Sequence, residues 1–220
     1  MSGFLNYDNK FMTGIDKIVD VFYISILWVF ACIPIFTIGA ATTAMYYTIN
    51  KVLRHGRGYV WKEFWGAFRS NFKQSTIIWL IMMLLYALMA FDTYVMYKFA
   101  ESGASYGKIY IFFVVVMIFV TMWALYVFPF VARFSNTTKA VMKNAALIAI
   151  ANLPKTLLIF LIFVAAAFGV YMIGFLVVVI PAVAMWIMSY LLEGIFRKYM
   201  TPQERAAEDE RNGEYHQDGK

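Results

Sequence analysis

The sequence predicts an all-α membrane protein, a bundle of about five transmembrane helices with two cytoplasmic interfacial helices. Three observations lead there. Of the 220 residues, 62% are hydrophobic and only 15% are charged, whereas soluble domains are about a quarter charged and about half apolar. The apolar residues fall in long runs, and runs of roughly 18 or more with few charges are membrane spans. The basic residues fall between alternate runs, as the positive-inside rule requires.

The polar stretch 1–17 lacks the basic start of a secretory signal, and no small-residue cleavage site follows the next run, so that run is expected to stay as a span. The spans are expected at about 18–41, 75–97, 109–132, 157–172 and 174–196. Residues 1–200 then form one transmembrane domain. Asp16 and Asp20 begin the first span and are expected to face outer water or to favour the helix N-terminus, and the span contains Pro34 and Gly39. Proline removes a backbone donor, so a kink or break is expected near residues 32–34. The run 157–192 is too long for one crossing and is divided near Gly169–Gly174, with Pro181 expected to kink the fifth span. The tail 201–220 is polar and is expected to be disordered, because it cannot bury enough apolar area to offset its ordering entropy.

Of the 19 lysines and arginines, fifteen lie in the loops after spans one and three and after span five, and four lie on the other side. That bias places the N-terminus outside and the C-terminus in the cytoplasm. It also accounts for the net charge of +6 without a nucleic-acid partner.

The loop after the first span carries Trp61, Phe64, Trp65, Phe68 and Phe72 on one helical stripe, with Lys62, Glu63, Arg69 and Lys73 off it. Such a helix suits the cytoplasmic membrane interface. Its aromatic face either lies in lipid or docks on a partner. A second interfacial helix is expected at about 138–151, capped by Ser135 or Asn136. Asn71-Phe72-Lys73-Gln74-Ser75-Thr76-Ile77 and Asn152-Leu153-Pro154-Lys155-Thr156-Leu157-Leu158 then lead into the next spans. With one gap, the two halves read as a parallel internal repeat, a plan known in transporters.

Leu27-Trp28, the run from Ile33-Pro34-Ile35-Phe36-Thr37-Ile38-Gly39 to Ala44, Trp61-Lys62-Glu63-Phe64-Trp65, and Phe68-Arg69-Ser70-Asn71-Phe72-Lys73-Gln74-Ser75 resemble the YesL family, over roughly residues 4–199. The resemblance implies a bacterial cell-membrane protein built around a domain of unknown function. Members tend to be encoded beside sugar-uptake ABC transporters and polysaccharide-degradation genes. It implies no catalytic residues.

Asp92 stands alone inside the second span, either as an ion or sugar contact or as an acid reaching outer water near Tyr97 and Lys98. Glu193 is expected to pair with Arg197 one turn later. Pro34 and Gly39 either line a cavity as a broken helix or form a packing kink. Cys32 is the single cysteine and the histidines, His55 and His216, are far apart, so no metal centre or cofactor is expected. No Walker, nucleophile-elbow, H-E-x-x-H or dinucleotide motif occurs, so the chain is not expected to be an enzyme. The expected partners are the lipid bilayer and permease or ATPase subunits of an ABC transporter; the sequence does not say whether the chain forms homo-oligomers. The expected role is an accessory or regulatory subunit of carbohydrate uptake, and the alternative is a stand-alone small transporter or channel. Mid-span positions, almost all apolar, favour the first.

Overall fold

The computed structural model describes the backbone of residues 10–218 and the side chains of residues 14–210. The polar start 1–9 lies outside them, as do residues 219–220 and the side chains of the last ten residues. Among the described residues every regular element is helical. Four helices are long and apolar enough to cross a membrane: Val60–Glu101, Ser105–Arg133, Leu153–Met172 and Ile180–Tyr199.

Helix α1, Lys10–Cys32, carries Asp16, Lys17 and Asp20 in its first half, which sets it apart from those four. It ends where the sequence predicts a break. The residue before a proline is kept out of the helical region, and Pro34 itself is extended (φ −78°, ψ 111°). The break is stitched closed by polar contacts. The Thr37 hydroxyl lies 2.5 Å from the carbonyls of both Ala31 and Pro34, and the Trp79 indole donates to the Ile35 carbonyl at 2.8 Å. A 3-10 turn, Ile35–Thr37, leads into α2, Ile38–Thr48, which continues as a wider π-type turn, Ile49–Arg54.

The turn at 55–59 uses Gly56 and Gly58, both at positive φ (63° and 80°), a conformation costly for other residues. Helix α3, Val60–Glu101, then runs unbroken for 42 residues, about 63 Å at 1.5 Å per residue. The expected boundary between a separate interfacial helix and the second span is therefore absent. Nothing from Phe72 to Ile77 breaks a helix, and the polar Ser75 there is absorbed by packing: its hydroxyl shares a 2.9 Å hydrogen bond with Thr43 on α2.

After Gly103 (φ 85°) and a 3-10 turn, Ser105–Ile109, helix α4, Tyr110–Arg133, returns antiparallel to α3. Their register is read from three rungs: Tyr97 against Tyr110 (ring centroids 5.7 Å apart), Tyr86 to Thr121 (2.9 Å) and Trp79 against Phe128 (6.2 Å). Trp79 and Tyr97 lie about 27 Å apart along the helix, close to a hydrocarbon thickness of about 30 Å. Tryptophan and tyrosine are the residue types enriched at membrane–water interfaces. Nearly half of α3 thus projects past the Trp79 level, on the side where the basic residues gather. Pro129 stays inside α4, unlike Pro34 in the proposed repeat.

Helix α5, Thr138–Ala151, is capped by Thr137, whose hydroxyl accepts from the Ala140 amide, rather than by Ser135 or Asn136. Asn152 alone separates it from α6, Leu153–Met172. A 3-10 segment, Gly174–Val178, precedes α7, Ile180–Phe196, which begins six residues later than the fifth span was expected to. Pro181 sits in the first turn of α7, where a missing amide costs nothing, so it starts the helix instead of kinking it. The tail also departs from expectation: α8, Pro202–Asp218, is helical and returns to the bundle.

Burial is uneven. In the most apolar stretches of α3, α4 and α6 only 11%, 17% and 11% of residues are buried, against 50% in α7. Helix α7 is the most buried of these four, and the other three present broad apolar faces outward. Many of the large, fully buried side chains lie toward the basic end: Tyr46, Ile49, Leu53, Phe64, Leu192, Ile195 and Phe196.

Candidate functional site

The charged groups converge at that basic end, where α2, α4, α7 and α8 meet. Glu193 on α7 is an acid in an otherwise apolar helix. Its Oε1 accepts hydrogen bonds from the Tyr46 hydroxyl and the Asn50 amide, both at 2.7 Å, and its Oε2 lies 3.2 Å from Nη2 of Arg133. The same Arg133 nitrogen pairs with Glu208 of α8. Beside this trio opens a cavity of about 340 Å³, lined also by Tyr47, Lys51, His55 and Arg57. Lys51 is held by Glu63 at 2.7 Å. Arg54 lies outside the cavity, donating to the Ser189 carbonyl at 2.7 Å and stacking over the Tyr190 ring. Burial, together with the Arg57 and Arg54 charges, holds His55 below the usual 6.5, so it is neutral at pH 7.

The arrangement corrects the expected pair Glu193–Arg197: Arg197 instead meets Asp209 at 2.6 Å on the surface. Buried carboxylates take partners that satisfy several lone pairs at once, and α2 and α4 offer three donors where a neighbour along α7 offers one. The sequence marked Glu193 as unusual but carried no sign of Tyr46, Asn50 or Arg133 as its partners, because they lie 147, 143 and 60 positions away. Glu208 was missed altogether.

A second, larger cavity of about 840 Å³ opens in the membrane zone between the α3–α4 hairpin and the α6–α7 pair. Its walls are almost wholly apolar, including Met45, Met83, Phe128, Phe163, Met185 and Met188. Its few polar groups are spent on one another: Tyr86 with Thr121 at 2.9 Å, and the Trp28 indole donating to Thr42 at 3.2 Å.

The aromatic stripe divides by depth. Phe64 is fully buried in the chain's own core, Trp65, Phe68 and Phe72 are half-buried, and Trp61 is 56% exposed. The rings pack along the stripe, with Trp65 and Phe68 5.2 Å apart and Phe68 and Phe72 5.4 Å apart. The middle of the stripe thus faces the protein, and the exposed aromatics are Trp61 and its neighbour Tyr59. Pro34 ends α1. Gly39 breaks nothing and is instead a point of contact: a Cβ there would lie 2.6 Å from the Ser75 carbonyl oxygen and 2.7 Å from Cβ of Trp79. Asp92 is half-exposed on α3, lines neither cavity, and has no hydrogen-bond or ion-pair partner among the described residues.

The model of a family described as "Protein of unknown function, DUF624" matches residues 21–93. That stretch covers most of α1, the Pro34 break, α2 and most of α3, and the domain is one that YesL proteins carry. No curated protein and no solved structure matches the chain.

Proposed function

We propose that this chain is a five-span protein of the bacterial cell membrane, α1 being the fifth span, with its N-terminus outside and its basic end in the cytoplasm. In this reading it is a non-catalytic accessory or regulatory subunit of an ABC-type carbohydrate importer. The link to carbohydrate uptake comes from the YesL resemblance. The observation that favours a subunit over a carrier is the 840 Å³ cavity. A sugar is bound through hydrogen bonds to its hydroxyls, and a site lacking free polar partners rejects it. The groups able to contact a partner lie at the basic end, where Tyr59 is 81% exposed beside Trp61. Large exposed aromatics of this kind are common interface anchors. The second reading, a small transporter for an apolar solute, is favoured by the size of the same cavity. The two halves α1–α2–α3 and α4–α5–α6 follow one plan of span, short helix and span, which supports a diverged repeat.

Affinity purification from mild detergent should recover a permease or ATPase subunit of a carbohydrate ABC transporter, and Tyr59→Ser with Trp61→Ser should reduce that recovery. Failure to recover such a subunit, or solute movement by the purified protein alone in liposomes, would overturn the subunit reading. The topology has its own test. With Cys32 replaced by alanine, cysteines introduced in place of Gly103 and Glu210 should react with an impermeant reagent from opposite sides of the membrane. Labelling from one side would rule out five spans.

A further inference from the structure

The two carboxylates that share Arg133 are not equivalent. Glu193 has three donors, Tyr46, Asn50 and Arg133, so it stays satisfied if its neighbour leaves. Glu208 is buried, 9% exposed, and meets the Arg133 guanidinium, with the 340 Å³ cavity alongside. Around that cavity two guanidinium donors are unspent. Arg133 Nε and Arg57 Nε are buried and have no hydrogen-bond partner among the described residues. Lys51 stands on the same wall, paired with Glu63. The volume equals about eleven waters at their liquid share of about 30 Å³, far more than a lone carboxylate needs.

We propose that this cavity is a binding site for a phosphate-type anion, and that the Glu208 carboxylate fills it in the anion's absence, so that anion binding releases α8. A phosphate group carries more negative charge than a carboxylate and offers three strong acceptor oxygens, which suit guanidinium donors. The anion would replace the Glu208 carboxylate on Arg133, and the other ties of α8 include the exposed pair Arg197–Asp209 and a hydrogen bond from Arg205 to the Lys198 carbonyl, of which exposed pairs stabilise little. Arg133 lies five residues beyond Phe128, which packs on Trp79, about 8 Å past the interfacial tryptophan and so at headgroup depth. The anion is therefore either a soluble phosphate or the headgroup of an acidic phospholipid. Neither requires an ABC partner.

The test uses the full-length chain in phosphate-free detergent buffer, titrated with inorganic phosphate by calorimetry. Because a tethered carboxylate competes at high effective concentration, Glu208→Gln should bind phosphate about tenfold more tightly than the natural chain or better. Adding Arg57→Gln should weaken that binding. A nitroxide attached at position 206 (Ala206→Cys with Cys32→Ala) reports α8 directly and leaves Glu208 in place. It should gain mobility with inorganic phosphate, or in nanodiscs when phosphatidic acid replaces part of the phosphatidylcholine. Response to phosphate identifies a soluble ligand; response to phosphatidic acid alone identifies a headgroup. The proposal is overturned if neither probe mobilises the nitroxide, or if Glu208→Gln binds neither probe more tightly than the natural chain.

Discussion

Gly39→Ala is the sharpest test of the packing between α2 and α3. The added methyl would lie 2.6 Å from the Ser75 carbonyl oxygen, 2.7 Å from Trp79 Cβ and 2.8 Å from Phe128 Cε1, where ordinary contact starts near 3.4 Å. Two of these three atoms are backbone or Cβ and cannot rotate away, so α2 must withdraw by about 0.8 Å, the difference between 3.4 and 2.6 Å. A shift of that size stretches the 2.9 Å Thr43–Ser75 hydrogen bond beyond useful length. Overpacking costs about 1–3 kcal/mol and the lost hydrogen bond about 1 kcal/mol, offset by about 1 kcal/mol of helix propensity gained on replacing glycine. The net expectation is a loss of about 1–3 kcal/mol. Gly66→Ala is the matched control. Gly66 lies in α3, exposed, and a Cβ added there would meet nothing within 4 Å, so the same substitution should stabilise by about 0.5–1 kcal/mol. Unfolding of both variants in one mild detergent, followed by circular dichroism, decides the matter. If Gly39→Ala is as stable as the parent, or more stable than Gly66→Ala, the close approach of α2 to α3 is wrong.

Two further outcomes rest on burial and charge. Phe64→Ala should cost about 3–5 kcal/mol, as for other fully buried phenylalanines, while Trp61→Ala, at 56% exposure, should change stability by no more than about 0.5 kcal/mol; equal losses in the same melts would show that the stripe does not turn its centre inward. For His55, the folded chain disfavours the protonated form, so the unfolded chain binds more protons below the ordinary 6.5 and stability should rise with pH through the window from the lowered value up to 6.5. His55→Asn should flatten that part of the stability–pH curve, and an unchanged slope just below 6.5 would refute the assignment.

Much of the architecture was legible because it depends on local chemistry. A long apolar run must leave water wherever it sits, and the break at Pro34 follows from a missing amide and a clash within one turn. The tail shows the reverse case. Residues 201–210 have too little apolar surface to fold alone, and α8 is held by Arg133 from α4, an anchor 75 positions away. Pro181 departs from expectation for a related reason: a proline kinks a helix that has already begun but starts one that has not, and where α7 begins is set by its packing beside α1, where Ser25 accepts from the Ala182 amide at 3.2 Å.

By itself the sequence determined that this is a membrane protein built of apolar helices, which end is basic, and which residues share the α3 stripe. Composition, periodicity and charge placement act over one helix or one loop and need no partner to be read. Only the tertiary structure decided that Phe64 faces inward, that Gly39 is a contact rather than a hinge, and that Glu193, Arg133 and Glu208 form one cluster. Helical spacing says which side chains share a face, whereas what covers that face depends on helices brought together from distant parts of the chain, and the cost of burying an unpaired charge then selects which of them pair.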